Sequence, residues 1–574
     1  MDYRKFADYL LQERKISNID YYFADFAARR SNCGEKPPLF LLAALVSRAS
    51  SIGREVCLSA AKVATAEALR EYLALPEDVE VPADGWLPAE LPEFLVSEGG
   101  NYYLRGNYLL EMDIRDFVEA RASGTVVEGE FDPAVTMLDL TAGQIATVKA
   151  ARQNRFLIVS GGPGTGKTTI LATILALRGE DPERICLAAP TGKAQGRMQE
   201  ALREELEKIN ISEERKTALK DVRCSTVHRL LEADHMGKFR RNRENPLECD
   251  LLVVDECSML SFDLLGQLFR ALPETASVIL LGDHAQLASV EPGQVFADLC
   301  NLMSYYPKGH LAKLTESKRF PADKGIARLR DRLEPHLDQP GAEAWECLQA
   351  NYEQLEYKPL PPSAELPAFL AENLYGWREN GKPFFEAETI EEAWERFESM
   401  RILVPTGEGK FGADAVNGHI KHIFKLGENS PGLPLMQRKN DYMLNIFNGD
   451  TGLLWYADKD RKPLPRSCAA EDCKRLVFFP RGNGEWYGVE RELLEDAEVA
   501  FAMTVHKSQG SGYGKVLFIL PELGFGEKLL TRELIYTAVT RGKPEAVVVT
   551  TRDVFCAAAN RRTERASGLL SARF

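Results

Sequence analysis

The stretch FLIVSGGPGTGKTT, residues 156–169, decides the fold of this 574-residue chain. Phe156–Ser160 is apolar or small and predicts a buried parallel strand, whereas Ile170–Leu177 predicts a helix. The pattern G-x-x-x-x-G-K-T stands between them, from Gly161 to Thr168. Its glycines let backbone N–H groups close around phosphate oxygens, and its lysine brings charge to the β and γ phosphates. The stretch therefore predicts a site for a nucleoside triphosphate.

We expect the nucleotide to be ATP, bound together with Mg²⁺. The hydroxyl of Thr168 is predicted to face the metal ion, with Asp255 as a second ligand. Gln144 lies in a helix predicted at residues 140–151, and its carboxamide offers an adenine edge both a donor and an acceptor. The residues predicted to bind the nucleotide are Gln144, Gly162, Pro163, Gly164, Thr165, Gly166, Lys167, Thr168 and Thr169.

Composition is that of a globular protein, with 45% hydrophobic and 27% charged residues and a net charge of −14. Such a length corresponds to about three to five domains. The longest apolar run, Leu39–Val46, is far shorter than the about 20 residues that cross a bilayer, so we expect no membrane contact and a cytoplasmic location. Only Cys468 and Cys473 lie close together, without a second pair to complete a zinc site. The acidic charge restricts nucleic-acid binding to local patches.

Polar residues follow further predicted strands. These strands are Ile185–Ala189, Leu251–Val254 and Val278–Leu281. In open α/β sheets the carboxyl ends of the strands bind the ligand. Of the pair Asp255 and Glu256, one carboxylate can hold magnesium while the next deprotonates the attacking water. Gln286 follows the last strand, where it can sense the γ-phosphate. Four such strands predict one doubly wound ATPase core.

A second α/β half is predicted from new strands near residues 401–406, 516–520 and 546–550. Arg319 and Arg541 each follow an apolar run near a domain edge. An arginine reaching across a cleft neutralises charge on the transferred phosphoryl group, with structural salt bridging as the alternative for either one alone. The residues predicted to be catalytic are Lys167, Asp255, Glu256, Gln286, Arg319 and Arg541.

Two smaller features interrupt these halves. Asn-Gly-Asp and Gly-Asn-Gly turns in alternating apolar sequence predict a small β domain inserted into the second half. A basic hairpin is predicted at about 233–248, with Lys238, Arg240, Arg241 and Arg243. It is a candidate for contacts to backbone phosphates, and a solvated basic loop is the alternative. The apolar stripes before about residue 125 predict a helical core with a docking role.

Seven stretches stand in the order typical of superfamily 1 DNA helicases. They are GGPGTGKTT, APTGKA, STVHRLL, VVDECSML, LLGDHAQLASV, TVHKSQGS and YTAVTRG. More narrowly, the chain resembles the RecD family, the α subunits of bacterial exonuclease V (RecBCD). LFLLAALVSRASSIGREVCL, NDYMLNIFNGDTG and LLTRELIYTAVTR share that resemblance, which covers nearly the whole chain. One departure is Gly512, where RecD-like proteins usually carry glutamate.

The resemblance implies an α/β fold of two RecA-like, doubly wound motor domains, a helical N-terminal docking domain and an SH3-like insert. The expected boundaries are 1–125 for the docking domain, 126–335 for the first motor domain, 336–436 with 498–574 for the second, and 437–497 for the insert. The resemblance also implies that five residues line a single-strand groove: Thr191, Thr226, His228, Thr504 and His506. Helix capping by Ser225 or Thr226 is the alternative for that segment.

The resemblance further implies a 5′→3′ motor that unwinds double-strand-break ends for recombinational repair and degradation of linear DNA. Its expected partners are single- and double-stranded DNA ends, a RecB-like helicase–nuclease and a RecC-like subunit, with nuclease activity in a partner. A free-standing RecD-like helicase remains as an alternative, although such proteins carry a longer N-terminal region. A non-motor regulatory ATPase is a second alternative, but such a protein would not need the segments around His506 and Arg541.

Overall fold

A computed structural model describes most of the chain as one N-terminal region, two parallel sheets and one antiparallel sheet. The described residues are 2–31, 36–123, 139–234, 237–306, 309–334, 336–350, 352–379, 381–441, 443–470, 473–481, 484–524 and 527–569. No helix within these ranges is long and apolar enough to cross a membrane.

The N-terminal region is mainly helical, as predicted, and also contains a small sheet. Its elements are α1 (Tyr3–Gln12), α2 (Asn18–Arg30), α3 (Lys36–Ser51), β1 (Leu58–Ser59), α4 (Ala66–Leu73), β2 (Leu95–Glu98), β3 (Asn101–Leu104) and α5 (Arg105–Ala122). The strands are antiparallel in the order β1-β3-β2. Helix α3 forms the centre of this core, because every residue from Leu39 to Val46 is buried.

The first parallel sheet has the order β6-β5-β7-β8-β4-β9. Its strands are β4 (Phe156–Gly161), β5 (Ile185–Ala189), β6 (Cys224–Thr226), β7 (Leu251–Val254), β8 (Ser277–Gly282) and β9 (Leu311–Leu314). Its helices are α6 (Ala142–Gln153), α7 (Lys167–Leu177), α8 (Gly192–Glu207), α9 (Glu213–Lys220), α10 (Val227–Leu230), α11 (Phe262–Arg270) and α12 (Val295–Met303). All four predicted strands are present, and β6 and β9 extend the sheet at its two edges.

Strand β4 shows why this sheet is covered on both faces. Phe156 and Ile158 belong to one apolar cluster, whereas Leu157 and Val159 belong to another. Because successive strand residues point to opposite faces, a continuous apolar strand needs a helical layer on each side. The doubly wound architecture predicted for this core is confirmed.

Helix α5 contributes to one of these layers. The ring of Phe117 stacks on that of Phe269 in α11, with centroids 3.9 Å apart. A Cβ on Gly266 of α11 would lie 2.4 Å from Leu110 Cδ1, so glycine lets the two helices approach closely. Helix α5 therefore packs with the first core, although it falls within the predicted N-terminal domain.

The second parallel sheet has the order β10-β21-β20-β13-β19. Its strands are β10 (Leu355–Pro359), β13 (Met400–Val404), β19 (Ala502–Thr504), β20 (Tyr513–Leu520) and β21 (Gly542–Thr550), and a two-stranded ribbon is formed by β11 (Arg378–Glu379) and β12 (Lys382–Pro383). Its helices are α13 (Gly325–Arg332), α14 (Gly341–Gln349), α15 (Leu366–Asn373), α16 (Ile390–Glu398), α17 (Ala413–Ile423), α18 (Arg532–Val539) and α19 (Arg552–Asn560). The second α/β core is therefore confirmed.

The insert is a five-stranded antiparallel sheet in the order β17-β16-β15-β14-β18. Its strands are β14 (Pro434–Gln437), β15 (Thr451–Tyr456), β16 (Arg475–Pro480), β17 (Trp486–Val489) and β18 (Ala497–Val499). The turn before β15 contains Gly449 at φ 89°, a value that glycine adopts without strain. The insert is thus a β domain, and its likeness to SH3 domains stays a prediction.

The chain beyond α19 runs back across the molecule. Arg565 Nη1 donates to three carbonyl oxygens of the loop at 289–293, at 2.7 to 2.9 Å. The carbonyl oxygen of Ala566 accepts from Val56 N at 2.9 Å. The tail therefore joins the second core to both the first core and the N-terminal region.

Candidate active site

The phosphate loop joins β4 to α7. Gly164 and Gly166 have φ values of 82° and 83°, a region that residues with a side chain rarely occupy. A Cβ on Gly166 would lie 2.3 Å from Gln144 Nε2, and one on Gly164 would lie 2.3 Å from Arg319 Cβ. Both positions thus require glycine for backbone conformation and for space.

Lys167 begins α7, and its side chain points back into the loop. Its Nζ donates to the carbonyl oxygens of Gly161 at 2.6 Å and Gly162 at 3.4 Å. Thr165 Oγ1 also donates to Gly162 O, at 2.9 Å, which closes the turn. Thr168 and Thr169 follow in the first turn of α7, where backbone N–H groups are available to anions. This arrangement suits a phosphate chain lying across the start of the helix.

Gln144 holds the loop against α6. Its Oε1 accepts from Thr141 N at 2.9 Å, and its Nε2 donates to Thr165 O at 3.0 Å. Both ends of the carboxamide thus bind protein groups, and the side chain is buried. The structure places Gln144 beside the loop, and the adenine contact stays a prediction.

The acidic pair directly follows β7. Burial and the charge of Glu256 raise the pKa of Asp255 to about 6, and Lys167 acts in the opposite direction. Glu256 itself has φ 53°, a left-handed conformation that strains a residue with a side chain and is common at functional sites. The hydroxyl of Thr168 and the carboxylate of Asp255 are the hard oxygen donors that Mg²⁺ prefers, and two repelling carboxylates fit a cation site. These residues therefore suit the predicted metal.

The segment after β8 binds directly to the second core. Tyr536 OH and Gln286 Nε2 both donate to Asp283 Oδ2, each at 3.0 Å. Leu287 N donates to Thr537 Oγ1 at 2.9 Å. Because Tyr536 and Thr537 lie on α18, the segment that carries Gln286, the residue predicted to sense the γ-phosphate, is attached to the helix that precedes Arg541.

The two predicted arginines come together at the cleft between the cores. Arg541 is buried, and its Nη1 donates to Ser511 O at 3.1 Å. Burial lowers the pKa of Arg319, and the charges of Arg541 and Arg197 lower it further. Arg319 also contacts the phosphate loop at Gly164. The cleft thus brings Arg541 of the second core close to Arg319, which lies against the phosphate loop.

The sequence analysis did not identify four residues of this cleft, which are Asp283, its hydrogen-bond donor Tyr536, Arg197 and Lys543. Asp283 could have been found, because it follows a predicted strand just as Asp255 does. Arg197 and Lys543 carry no such signal. Only the packing of α8 and β21 at the domain interface brings them to the site.

Three of the predicted DNA-binding residues are threonines that cap helical turns. The Oγ1 atoms of Thr191, Thr226 and Thr504 accept from backbone N–H groups three residues later, at 3.2 to 3.4 Å. The capping alternative for Thr226 is therefore confirmed. A capping hydroxyl keeps its own proton for donation, so a contact to a phosphate oxygen is compatible with this role.

The other two are histidines that burial keeps neutral. Burial lowers the pKa of His228, and it lowers that of His506 to about 4, with Arg54 and Arg565 adding to the shift. A neutral imidazole offers one donor and one acceptor and no charge. Any DNA contact made by these histidines is therefore a hydrogen bond or a stacking contact.

The insert lies over the first core beside these residues. A Cβ on Gly192 would lie 2.9 Å from Phe447 Cδ2. Arg229 Nη2 donates to Asn445 Oδ1 at 3.1 Å, and its guanidinium lies 4.8 Å from the centroid of the Phe447 ring. The insert thus borders the surface that carries Thr191 and Thr226.

The predicted basic hairpin is a tight turn in which Ala233 bridges Phe239; His235 and Met236 lie outside the described residues. Arg241 pairs with Glu232 at 2.8 Å, and Arg243 pairs with Asp113. Two of its four cations are thus engaged by carboxylates. Lys238 and Arg240 remain the predicted phosphate contacts.

Comparison with known protein families gives three matches. An AAA domain matches residues 144–292, a UvrD-like helicase C-terminal domain matches 499–549, and the N-terminal domain of RecBCD enzyme subunit RecD matches 12–96. The two parallel-sheet cores and the nucleotide site between them, together with these matches, define an ATP-dependent helicase.

Individual relatives narrow the assignment. The RecBCD enzyme subunit RecD of Mycolicibacterium smegmatis is 33% identical over 547 residues, which is 90% of each chain. That of Mycobacterium tuberculosis is 36% identical over 72% of this chain and 69% of its own. The chain belongs to the RecD family. The ATP-dependent RecD2 DNA helicase of Deinococcus radiodurans is 30% identical over 75% of this chain and 52% of its own. A solved Pif1 helicase from Candida albicans covers 73% of this chain at 17% identity, with a TM-score of 0.38.

We expect Gly166→Ala to abolish nucleotide binding while the protein stays folded. The methyl group would clash with Gln144 and force a left-handed alanine, so the loop would have to move away from its phosphate-binding geometry. Titration with a fluorescent ATP analogue measures the effect. Gly196→Ala, in α8 with no atom within 4 Å of the added Cβ, is the matched control. Unchanged affinity in Gly166→Ala would contradict the assignment of the loop.

Proposed function

We propose that this chain is a motor subunit of a RecBCD-type complex, an ATP-dependent 5′→3′ DNA helicase that acts at double-strand-break ends in recombinational repair and degradation of linear DNA. The observation that carries the proposal is the position of Arg541 of the second core beside Arg319, which lies against the phosphate loop of the first. Nuclease activity would belong to a partner subunit, as the resemblance to the RecD family implies.

Each of the cleft residues has its own role in ATP hydrolysis. Lys167 binds the β and γ phosphates. Thr168 and Asp255 would hold Mg²⁺, which neutralises charge on the phosphate oxygens. Glu256 takes a proton from the attacking water, and the two arginines stabilise the charge of the transition state.

Hydrolysis is coupled to movement through the attachment of α18 to the segment after β8. ATP contacts both cores, whereas the products lack the covalent link that joins the γ-phosphate to the rest of the nucleotide. A ligand shifts an equilibrium only by its differential affinity for the two states, so ATP favours closed cores and its hydrolysis releases them. Gln286 and Asp283 report the γ-phosphate to Tyr536, and repeated closure advances the strand.

The proposed single-strand groove is lined by Thr191, Thr226, His228, Thr504 and His506. These side chains offer hydroxyls and neutral imidazoles, which suit contacts to sugar and phosphate oxygens and stacking on bases. Binding of this kind depends little on base identity, as a translocating motor requires. The insert, with Phe447 beside Gly192, would form one wall of the groove.

We expect Glu256→Gln to keep ATP and Mg²⁺ binding but to slow DNA-stimulated hydrolysis about 10²-fold, because it removes the general base. Arg541→Ala should slow hydrolysis about 10³-fold through lost stabilisation of the transition state. Lys167→Gln removes the phosphate-binding charge and should abolish turnover. Single-turnover hydrolysis and nucleotide titration separate these effects. A variant at Glu256 or Arg541 that weakened only binding would refute its proposed role.

The polarity of the motor is tested on partial duplexes. We expect unwinding of substrates with a 5′ single-stranded tail and none of substrates with only a 3′ tail, because the ordered stretches resemble those of 5′→3′ motors. The Lys167→Gln protein serves as the control for residual activity. Unwinding from the 3′ tail alone would contradict the proposed direction.

An exposed apolar face on α2 fits the partner subunits. Ile19, Tyr22 and Phe26 are 74%, 70% and 46% exposed and recur at helical spacing, so they share one face. Apolar patches of this kind mark protein interfaces. The face lies within the match to the N-terminal domain of RecBCD subunit RecD. We infer that a RecC-like or RecB-like subunit covers it.

Replacing Ile19 and Tyr22 together by aspartate should release the chain from its complex in a pull-down with the partner subunits, because charge cannot be buried at an apolar interface without compensation. DNA-stimulated ATPase of the isolated chain should stay unchanged. Ile52→Asp, on an exposed residue at the end of α3, is the control. Retention of the doubly substituted protein would disprove docking through this face.

A further inference from the structure

Gly512 lies in a crowded part of the cleft. A Cβ at this position would lie 2.2 Å from Lys543 Cε and 2.8 Å from its Nζ. Lys543 follows Arg541 by two residues, at the beginning of β21, and its side chain is exposed to solvent. The end of this side chain thus rests over the α-carbon of Gly512, in space that a larger residue would fill.

Lys543 belongs to a group of four cations, which also contains Arg197, Arg319 and Arg541. The loop at residues 510–511 helps to hold the group together. Arg197 donates a hydrogen bond to the carbonyl oxygen of Gly510, and Arg541 donates one to the carbonyl oxygen of Ser511. Arg197 lies on α8 and Arg319 contacts the phosphate loop, whereas Arg541 and Lys543 belong to the second core. The group therefore exists only where the cores meet.

The protein offsets the charge of this group only in part, through Glu256, which acts on Arg319 and Arg541, and through Asp283, which acts on Arg541. Among the described residues, no ion pair includes any of the four; the pairs nearby join Arg401 to Glu398 and Lys515 to Glu545. Partial desolvation lowers the pKa of Lys543 to about 8. The positive charges of Arg319, Arg197 and Arg541 contribute to this shift, and the negative charge of Glu398 opposes it. Mutual repulsion of this kind is relieved when a multivalent anion enters.

We propose that Lys543 is a further phosphate-binding residue of the ATPase reaction. On closure of the cores its ammonium moves from above Gly512 to the terminal phosphate oxygens, beside Arg319 and Arg541. Glycine at 512 allows this, because a side chain there would displace the lysine and a carboxylate would neutralise it. The inference rests on the proposed position of ATP between the cores.

The first test is substitution of Lys543. Lys543→Gln should lower kcat/KM for ATP in the presence of single-stranded DNA at least tenfold, since a positioned charge at a phosphoryl group has a large effect, whereas Lys543→Arg should stay within about threefold, because it keeps the charge. Lys515→Gln, which removes a lysine paired with Glu545 elsewhere on the same sheet, is the control. A loss below twofold in Lys543→Gln would overturn the inference.

The pH dependence provides a readout that a structural role would not change. The ammonium must be protonated to bind phosphate, so kcat/KM of the unmodified protein should fall as pH rises through about 8. Lys543→Arg should remove this fall, because arginine keeps its charge throughout that range. The same fall in Lys543→Arg would assign the titration to another group and overturn the inference, even where Lys543→Gln fails to fold.

A double-mutant cycle tests the part played by Gly512. Gly512→Glu should lower kcat/KM alone, but add little to the loss in Lys543→Gln, because its carboxylate acts by pairing with the lysine. Gly512→Ala controls for volume. Fully additive losses would overturn the proposed pairing. Hydrolysis that survives in Lys167→Gln would instead refute the proposed nucleotide site. If Lys167→Gln is inactive but Lys543→Gln hydrolyses ATP at the unchanged rate, only the inference about Lys543 is refuted.

Discussion

The close approach of several positive charges between the two cores is the constraint on which the rest of the structure depends. Arg541 is buried and Arg319 lies against the phosphate loop. Among the described residues neither forms an ion pair, although the charge of Glu256 acts on both in the opposite direction to their mutual repulsion. Holding such charges close together costs free energy unless an anion lies between them. At the position proposed for ATP, the free energy of its binding would include relief of this repulsion, and that part would be available only when the cores are together. Closure and nucleotide binding are consequently two aspects of one equilibrium.

Asp283 links the two cores through hydrogen bonds. One of its carboxylate oxygens accepts from Gln286 on the same loop and from Tyr536 on α18. Since both bonds end on a single oxygen, a displacement of either donor changes the geometry of the other. The backbone N–H of Leu287 donates to the side-chain hydroxyl of Thr537, which adds a second hydrogen bond across the same boundary. A rigid helix held at two points moves as a unit, which suits the conversion of a small change at the phosphate into movement of a domain.

The N-terminal region is structurally continuous with the motor. Helix α5 packs against α11 through the stacked rings of Phe117 and Phe269, and Arg565 holds the loop at 289–293, which follows the residues around Gln286. A partner bound to the exposed face of α2 would therefore contact a body that is packed onto the first core. Complex formation would stabilise the motor by mass action, since the partner binds only the folded chain.

The sequence by itself determined the site's chemistry and its main strands. Continuous apolar runs fixed the buried strands, the spacing of Gly161 and Lys167 fixed the phosphate loop, and Asp255 and Glu256 were identified by their place after a strand, because such signals are local. The sequence analysis missed β6 and β9, which are short, and it assigned α5 to the N-terminal domain. Strand pairing and helix packing depend on residues far away in the chain, so local sequence patterns do not reveal them. Only the tertiary structure brought Arg197 and Lys543 to the cleft. Their role depends on charges that lie far apart in sequence and meet only when the two sheets face each other.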